Sequence, residues 1–157
     1  MAVKKIVLHP DPVLEERCLD VTVFDKKLAK LVRDMFDTMY EAEGVGLAAP
    51  QIGITSRVAV VDTGDDLGPL VLINPVITKQ SGSQAGPEGC LSFPGLFGDV
   101  DRAEKITVEA MDQKGRPFTL HAEGFTARAI LHETDHLNGV LFTSKVTHFY
   151  EEGEFER

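Results

Sequence analysis

The clearest periodic signal lies early in the chain. After Asp25, apolar residues recur at Leu28, Leu31, Val32, Met35, Phe36, Met39 and Tyr40 with charged residues between them, a 3.6-residue period that predicts an amphipathic helix burying one face. Asp25 is placed to cap this helix, and the pattern gives out at Glu43-Gly44. Ahead of it, the prolines of His9-Pro10-Asp11-Pro12 forbid helix, so residues 1–23 predict an extended arm with a turn. Beyond a small-residue segment at 44–53, short runs rich in Val, Ile, Thr and Phe cover 57–62, 70–78, 105–112 and 116–123 and read as strands. The last two flank Gln113-Lys114-Gly115, a hairpin signal. A second helix is predicted over 124–138, with Thr126 as a candidate cap and Gly139 as the stop. Helix, strands, helix is an α+β pattern. No repeat or linker divides the 157 residues, which predicts a single domain over 1–157 ending in a short acidic tail at about 148–157.

Composition narrows the function classes. With 43% apolar and 26% charged residues the chain is ordinary for a folded domain. Its 16 basic against 25 acidic residues leave a net charge of −9, which repels phosphate backbones and anionic lipid and argues against nucleic-acid or membrane partners. The longest apolar runs, 58–61 and 70–73, fall far short of a membrane span, and His9 and Pro10 interrupt the N-terminal apolar run before it could serve as a leader. A cytoplasmic protein is the expectation. Two cysteines, Cys18 and Cys90, make no disulfide framework.

Three segments could carry chemistry. On a helix, His132 and His136 of His132-Glu133-Thr134-Asp135-His136 stand at i and i+4, close enough to share a metal ion, with Glu133 about 100° round as a built-in base. A catalytic metal normally takes a third protein ligand. The position where a third histidine would follow in one extended motif is Phe142, and the downstream glutamates crowd the last seven residues, which would fray. His121 and His148 qualify by residue type only. Cys90, held among Gly86, Pro87, Gly89, Pro94 and Gly95 in what reads as an irregular loop, would complete a Cys-His-His set. A rival reading makes Cys90 a nucleophile with one histidine as its base, which leaves the other histidine and Glu133 without a role. In the third segment, Gly44-Val45-Gly46-Leu47-Ala48-Ala49-Pro50-Gln51, the preceding helix and Pro50 defeat a dinucleotide fingerprint. What is left is a tight small-residue turn that lets backbone approach a ligand, with one amide side chain at its end.

Jointly these segments resemble the signature motifs of the peptide deformylase family, Gly-x-Gly-Leu-Ala-Ala-x-Gln, Glu-Gly-Cys-Leu-Ser and His-Glu-x-x-Asp-His-Leu, here Gly44 to Gln51, Glu88 to Ser92 and His132 to Leu137. The resemblance extends to about residue 145 and is closest to the shorter bacterial type. It implies antiparallel sheets packed around a central C-terminal helix that carries the two histidines, with a long N-terminal helix. It also implies a metal-dependent hydrolase that releases formate from the N-terminal formylmethionine of newly made proteins. By motif, Cys90, His132 and His136 would hold one divalent ion per chain, usually Fe(II), with zinc, nickel or cobalt able to substitute. Glu133 would be the acid/base, and Gln51 with the Leu91 backbone N–H the oxyanion donors. Gly44, Val45, Gly46 and Gly89 would line the substrate path, and Val45, Phe125, Ala129 and Leu131 are candidates for the methionine slot. Arg102 and Asp135 are the expected pair behind the ligands.

Two departures stand out. Many relatives end in a longer basic helix thought to dock on the ribosome, whereas this end is short and acidic, which argues against docking by that route. Phe97 stands where several relatives carry an arginine, so residues following methionine are expected to be read differently. The partner is thus a formylmethionyl nascent peptide met by a monomer. The competing readings are a general metallopeptidase built on the same helix and a catalytically silent binding protein of the same fold.

Overall fold

The computed structural model describes residues 2–151. The long apolar stripe forms α1 (Lys26–Glu41), capped as expected by the Asp25 carboxylate, which accepts from Leu28 N at 3.1 Å. After it come the short strand β1 (Gly46–Ala48), a 3-10 turn over Ala49–Ile52, and β2 (Val58–Val61). The two long strands β3 (Leu70–Ser81) and β5 (Phe93–Arg102) flank β4 (Gln84–Cys90), and β6 (Lys105–Met111) and β7 (Pro117–Glu123) form the predicted hairpin. The second helix, α2 (Gly124–Leu137), and the strand β8 (Val146–Phe149) complete the order. All strand pairs are antiparallel, in one sheet of order β1-β2-β3-β6-β7 and another of order β4-β5-β8. The α+β expectation holds.

The apolar run of β2 explains the centre of the fold. All four of its residues are buried. Val58 and Val60 pack with Leu28, Val32, Met35 and Met39 of α1, whereas Val61 on the opposite face joins Ala127, Ile130 and Leu131 of α2. A strand covered on both faces needs no polar side, which is why it reads as continuous rather than alternating. The α2 helix ends where Gly139 was predicted to stop it: φ is +75°, and a Cβ there would lie 2.5 Å from the Glu15 carbonyl oxygen.

Two expectations need correction. The segment around Cys90 is not an irregular loop but the paired strands β4 and β5, in register from Gln84 opposite Arg102 to Gly89 opposite Phe97. Thr126 does not cap α2. Glu123 occupies the cap position without a side-chain bond, and the Thr126 hydroxyl sits inside the helix, bonded to Thr63 and to the Asp65 carboxylate. The chain leading into the acidic tail carries a further strand that the sequence reading did not include, since Val146–Phe149 pairs with β5 and Tyr150 donates to Phe97 O and to Asp99. Residues 152–157 of that predicted tail lie outside the described residues.

Candidate metal centre and its cavity

The site forms where α2 meets the end of β4. His132 and His136 project one turn apart with ring centroids 5.0 Å apart, and Cys90, 42 residues upstream of the first histidine, closes the group. One donor atom from each of Cys90, His132 and His136 lies within 4.8 Å of the others, and all three residues are buried. Cys90 Sγ is 3.3 Å from His136 Nε2. His132 commits Nδ1 to the Glu88 carboxylate at 2.9 Å, which leaves Nε2 as the ring atom that could ligate a metal. His121 and His148 lie elsewhere: His121 is on β7 beside Thr107, and the His148 ring packs near Tyr150.

A soft sulfur with two imidazoles in a buried, preformed triangle fits a divalent transition metal. The protein also holds the ligands from behind. Glu88 accepts from Arg102 Nε and Nη2 at 2.9 Å each, from Arg128 Nη1 at 2.7 Å, and pairs with His132. Burial alone would raise the Glu88 pKa, but hydrogen bonds and charge from Arg102 and His132 reverse this and hold the carboxyl far below its ordinary range. Arg102 reaches on to Asp135 at 2.6 Å, and Asp135 to Lys145 at 2.9 Å, so the expected Arg102–Asp135 pair is one link in a longer chain of charge. Burial and the neighbouring His132 push His136 well below its usual pKa, so its imidazole is neutral and free to ligate.

Glu133 is buried against Gly46. Any side chain at position 46 would collide with its carboxylate, so this approach requires glycine. Burial lifts the Glu133 pKa to about 7, with the charges of His132 and Arg102 opposing and those of Glu88 and Asp135 adding. Its Oε1 is a buried acceptor without a partner among the described residues, the condition of an atom that serves a transient proton. Gln51 is fixed from the other side. Its Oε1 accepts from Ala48 N at 3.0 Å, which turns Nε2 toward Cys90 Sγ at 3.5 Å and Ser92 Oγ at 3.2 Å.

These groups open on a cavity of about 330 Å³. Gly44, Val45, Gly46, Gln51, Gly89, Leu91, Phe125 and Ala129, all named as candidates from the sequence, border it together with Cys90, His132 and Glu133. Leu131 does not. It faces the other side of α2 and packs with Val61, Ile106 and Val108, which corrects its place in the methionine slot. Two buried charges that border the cavity, Glu88 and Arg128, were given no role by sequence. The available signals were an acid two residues before Cys90 on the same strand face, and a base one helical turn before His132 inside an otherwise apolar stretch.

Comparison with known proteins bears on this geometry. The sequence profile of the polypeptide deformylase family matches residues 3–152. The chain is 62% identical to peptide deformylase 1 of Bacillus anthracis over 156 residues, covering 99% of this chain and 100% of that one. It is 60% identical to peptide deformylase 1 of Bacillus subtilis, over 98% of this chain and 96% of that one. Among solved structures, the peptide deformylase of Thermotoga maritima superposes with a TM-score of 0.90 at 41% identity, over 94% of this chain and 99% of that one. That of Legionella pneumophila gives 0.89 at 47% identity, over 93% and 87%.

Proposed function

This chain belongs to the polypeptide deformylase family and removes the N-formyl group from newly made peptides, and we propose that it does so as one catalytic domain whose Cys90, His132 and His136 hold a single divalent ion, Fe(II) in the cell. Zinc, nickel or cobalt can take its place, since a Cys-His-His set suits each of them. A bound ion of this kind supplies Lewis acidity, lowering the pKa of water from 15.7 to about 7 and polarising the formyl carbonyl.

The remaining steps belong to side chains. Glu133 takes a proton from the attacking water and passes it to the departing amine as the C–N bond breaks, giving formate and a free N-terminus. A carboxyl lifted to about 7 by burial is matched to both halves of that transfer at neutral pH. As the formyl oxygen gains charge, the Gln51 amide N–H and the Leu91 backbone N–H donate to it, donors of a kind worth on the order of 10² to 10³ in rate each. The substrate backbone pairs with the segment from Gly44 to Gly46 as an added strand. Its methionine side chain enters between Val45, Phe125 and Ala129, and Gly89 keeps the approach open. Among the described residues no helix is long and apolar enough to cross a membrane; we place the enzyme in the cytoplasm, as a monomer that meets nascent chains without a basic tail.

One observation carries this reading: sulfur and two imidazoles converge within 4.8 Å of one another, and the cavity that Cys90 and His132 border is also bordered by Glu133, whose buried Oε1 has no partner among the described residues. The test is anaerobic formate release from formyl-Met peptides against unformylated controls, with metal content measured on the same sample. Glu133→Ala should keep one metal per chain and lose about 10² to 10⁴ in turnover. Wild-type turnover in that variant would remove Glu133 from the mechanism.

A further inference from the structure

The carboxamide of Gln51 is held at both ends, and one of its holders, Ser92, has no role so far. Gln51 Oε1 accepts from Ala48 N at 3.0 Å, which decides which way round the amide lies. The two Nε2 hydrogens then meet two different acceptors, Ser92 Oγ at 3.2 Å and Cys90 Sγ at 3.5 Å. Ser92 is wholly buried and lies behind the cavity wall, whereas Cys90 borders the cavity. One hydrogen is therefore turned into the protein by a hydroxyl. The other stays on the cavity side, loosely held by a long contact to sulfur, a weak acceptor.

Ser92 is itself anchored. Cys90 lies opposite Phe93 in the β4–β5 pair, so Leu91 and Ser92 form the turn between those strands. On the N-terminal arm, Val7 N donates to Gln51 O at 2.7 Å and His9 N donates to Ser92 O at 2.9 Å. Alternate residues of one extended segment thus tie the two backbones at a set separation, and the His9 ring stacks on Phe93 beside the turn with centroids 4.7 Å apart. A terminal amide torsion is broad and soft unless partners at both ends fix it. Displacing a group that acts on the reacting atoms by about 1 Å can cost on the order of a hundredfold in rate. Ser92 closes the end of the amide that Ala48 leaves open.

We propose that Ser92 is a positioning residue for deformylation: its hydroxyl takes one Nε2 hydrogen of Gln51 so that the other is the one presented to the formyl oxygen. This rests on the reading that Gln51 donates to that oxygen. Ser92 touches neither the substrate nor the reacting atoms, and no bond to it forms or breaks. An oxygen gaining negative charge is a far better acceptor than the sulfur, so the loosely held hydrogen turns to it while the amide stays in place. Order installed beforehand in this way favours the transition state and leaves substrate binding nearly untouched.

The test is a double-mutant cycle on Ser92→Ala and Gln51→Ala, with kcat and KM for a formyl-Met peptide and the metal content measured on each protein. Gln51→Ala alone should lose about 10² to 10³ in kcat. Ser92→Ala alone should lose at least about fivefold in kcat, the worth of one neutral hydrogen bond, with KM within about twofold and metal content unchanged. Made in the Gln51→Ala background, the same change should cost less than about twofold, because no amide remains to be positioned. Equal losses in the two backgrounds would show that Ser92 supports the fold instead, and would overturn the proposal. So would a loss below about fivefold in the wild-type background. A second measurement is independent of turnover. In zinc-loaded protein the Gln51 side-chain N–H signals, identified by their absence from Gln51→Ala, should exchange with solvent at least about tenfold more slowly in the wild type than in Ser92→Ala; equal exchange overturns the proposal. Wild-type turnover in Gln51→Ala is a different failure, since it removes the role of Gln51 beneath the proposal and leaves the metal ligands and Glu133 untouched.

Discussion

Replacing Glu88 with Gln tests whether the charge behind His132 holds the site together. Glu88 Oε1 takes Arg102 Nη2 and His132 Nδ1, and Oε2 takes Arg102 Nε and Arg128 Nη1. Glutamine keeps one oxygen, so one pair of these contacts survives and the other turns into donors facing an NH₂. Breaking a buried charged pair costs about 3 to 5 kcal/mol, and here two charge-assisted bonds go and two guanidinium groups are left short of counter-charge. At roughly 2 to 4 °C per kcal/mol for a chain of this size, melting should fall by roughly 6 to 20 °C. Metal-free protein should be melted first, so that the fold is measured apart from the ion. Titration against a competing chelator then reads the second effect, an affinity loss of about 10- to 100-fold as His132 loses the acceptor that orients it. A variant that melts within about 2 °C of the wild type and binds metal equally well would refute the reasoning, and Glu88 would be a bystander.

Other changes should act at separate links. Gly46→Ala should leave melting nearly unchanged but cut turnover sharply in the formate assay, because the new methyl must displace the Glu133 carboxylate; full activity would mean that Glu133 moves freely. Gly139→Ala should lower melting and spare the chemistry, since it combines a left-handed backbone with a clash on Glu15, at a cost of at least about 1 to 2 kcal/mol. An unshifted melt would show that the end of α2 can rearrange. Asp34 provides a pH-dependent case. The hydrogen bond from Lys30, with the charges of Lys30 and Lys4, holds its carboxyl below the ordinary value of 3.8, so its stabilisation is complete above that value and is lost as pH falls through the folded pKa. Chemical denaturation from about pH 6 downward should therefore show a shallower acid loss in Asp34→Asn than in the wild type. Parallel curves would mean that the ion pair contributes nothing.

Legibility from sequence tracked the range of the interactions. The α1 stripe, its Asp25 cap and the β6–β7 hairpin are local patterns, and each appears where it was read. Strands β4 and β5 were invisible because Gly86, Pro87, Gly89, Pro94 and Gly95 have poor strand propensity; their extended state is imposed by pairing, and Pro87 is tolerated because β4 is an edge. The cluster of Cys90, His132 and His136 was legible through side-chain chemistry, which limits what such residues can do together. The contacts of Glu88 with Arg128 and His132 were not, because partners 40 or more residues apart leave no local pattern. A buried charge looks like a surface charge until its partner is found.

Strand β1 is three residues long and terminates its sheet. An unpaired edge presents only amides and carbonyls, which every polypeptide shares, so a guest held there is recognised as chain rather than as text. That suits a catalyst that must greet the first residues of a whole proteome. The shortness of the edge is the matching safeguard: it seats one extended end briefly and is too small a template for two copies of the protein to zip together.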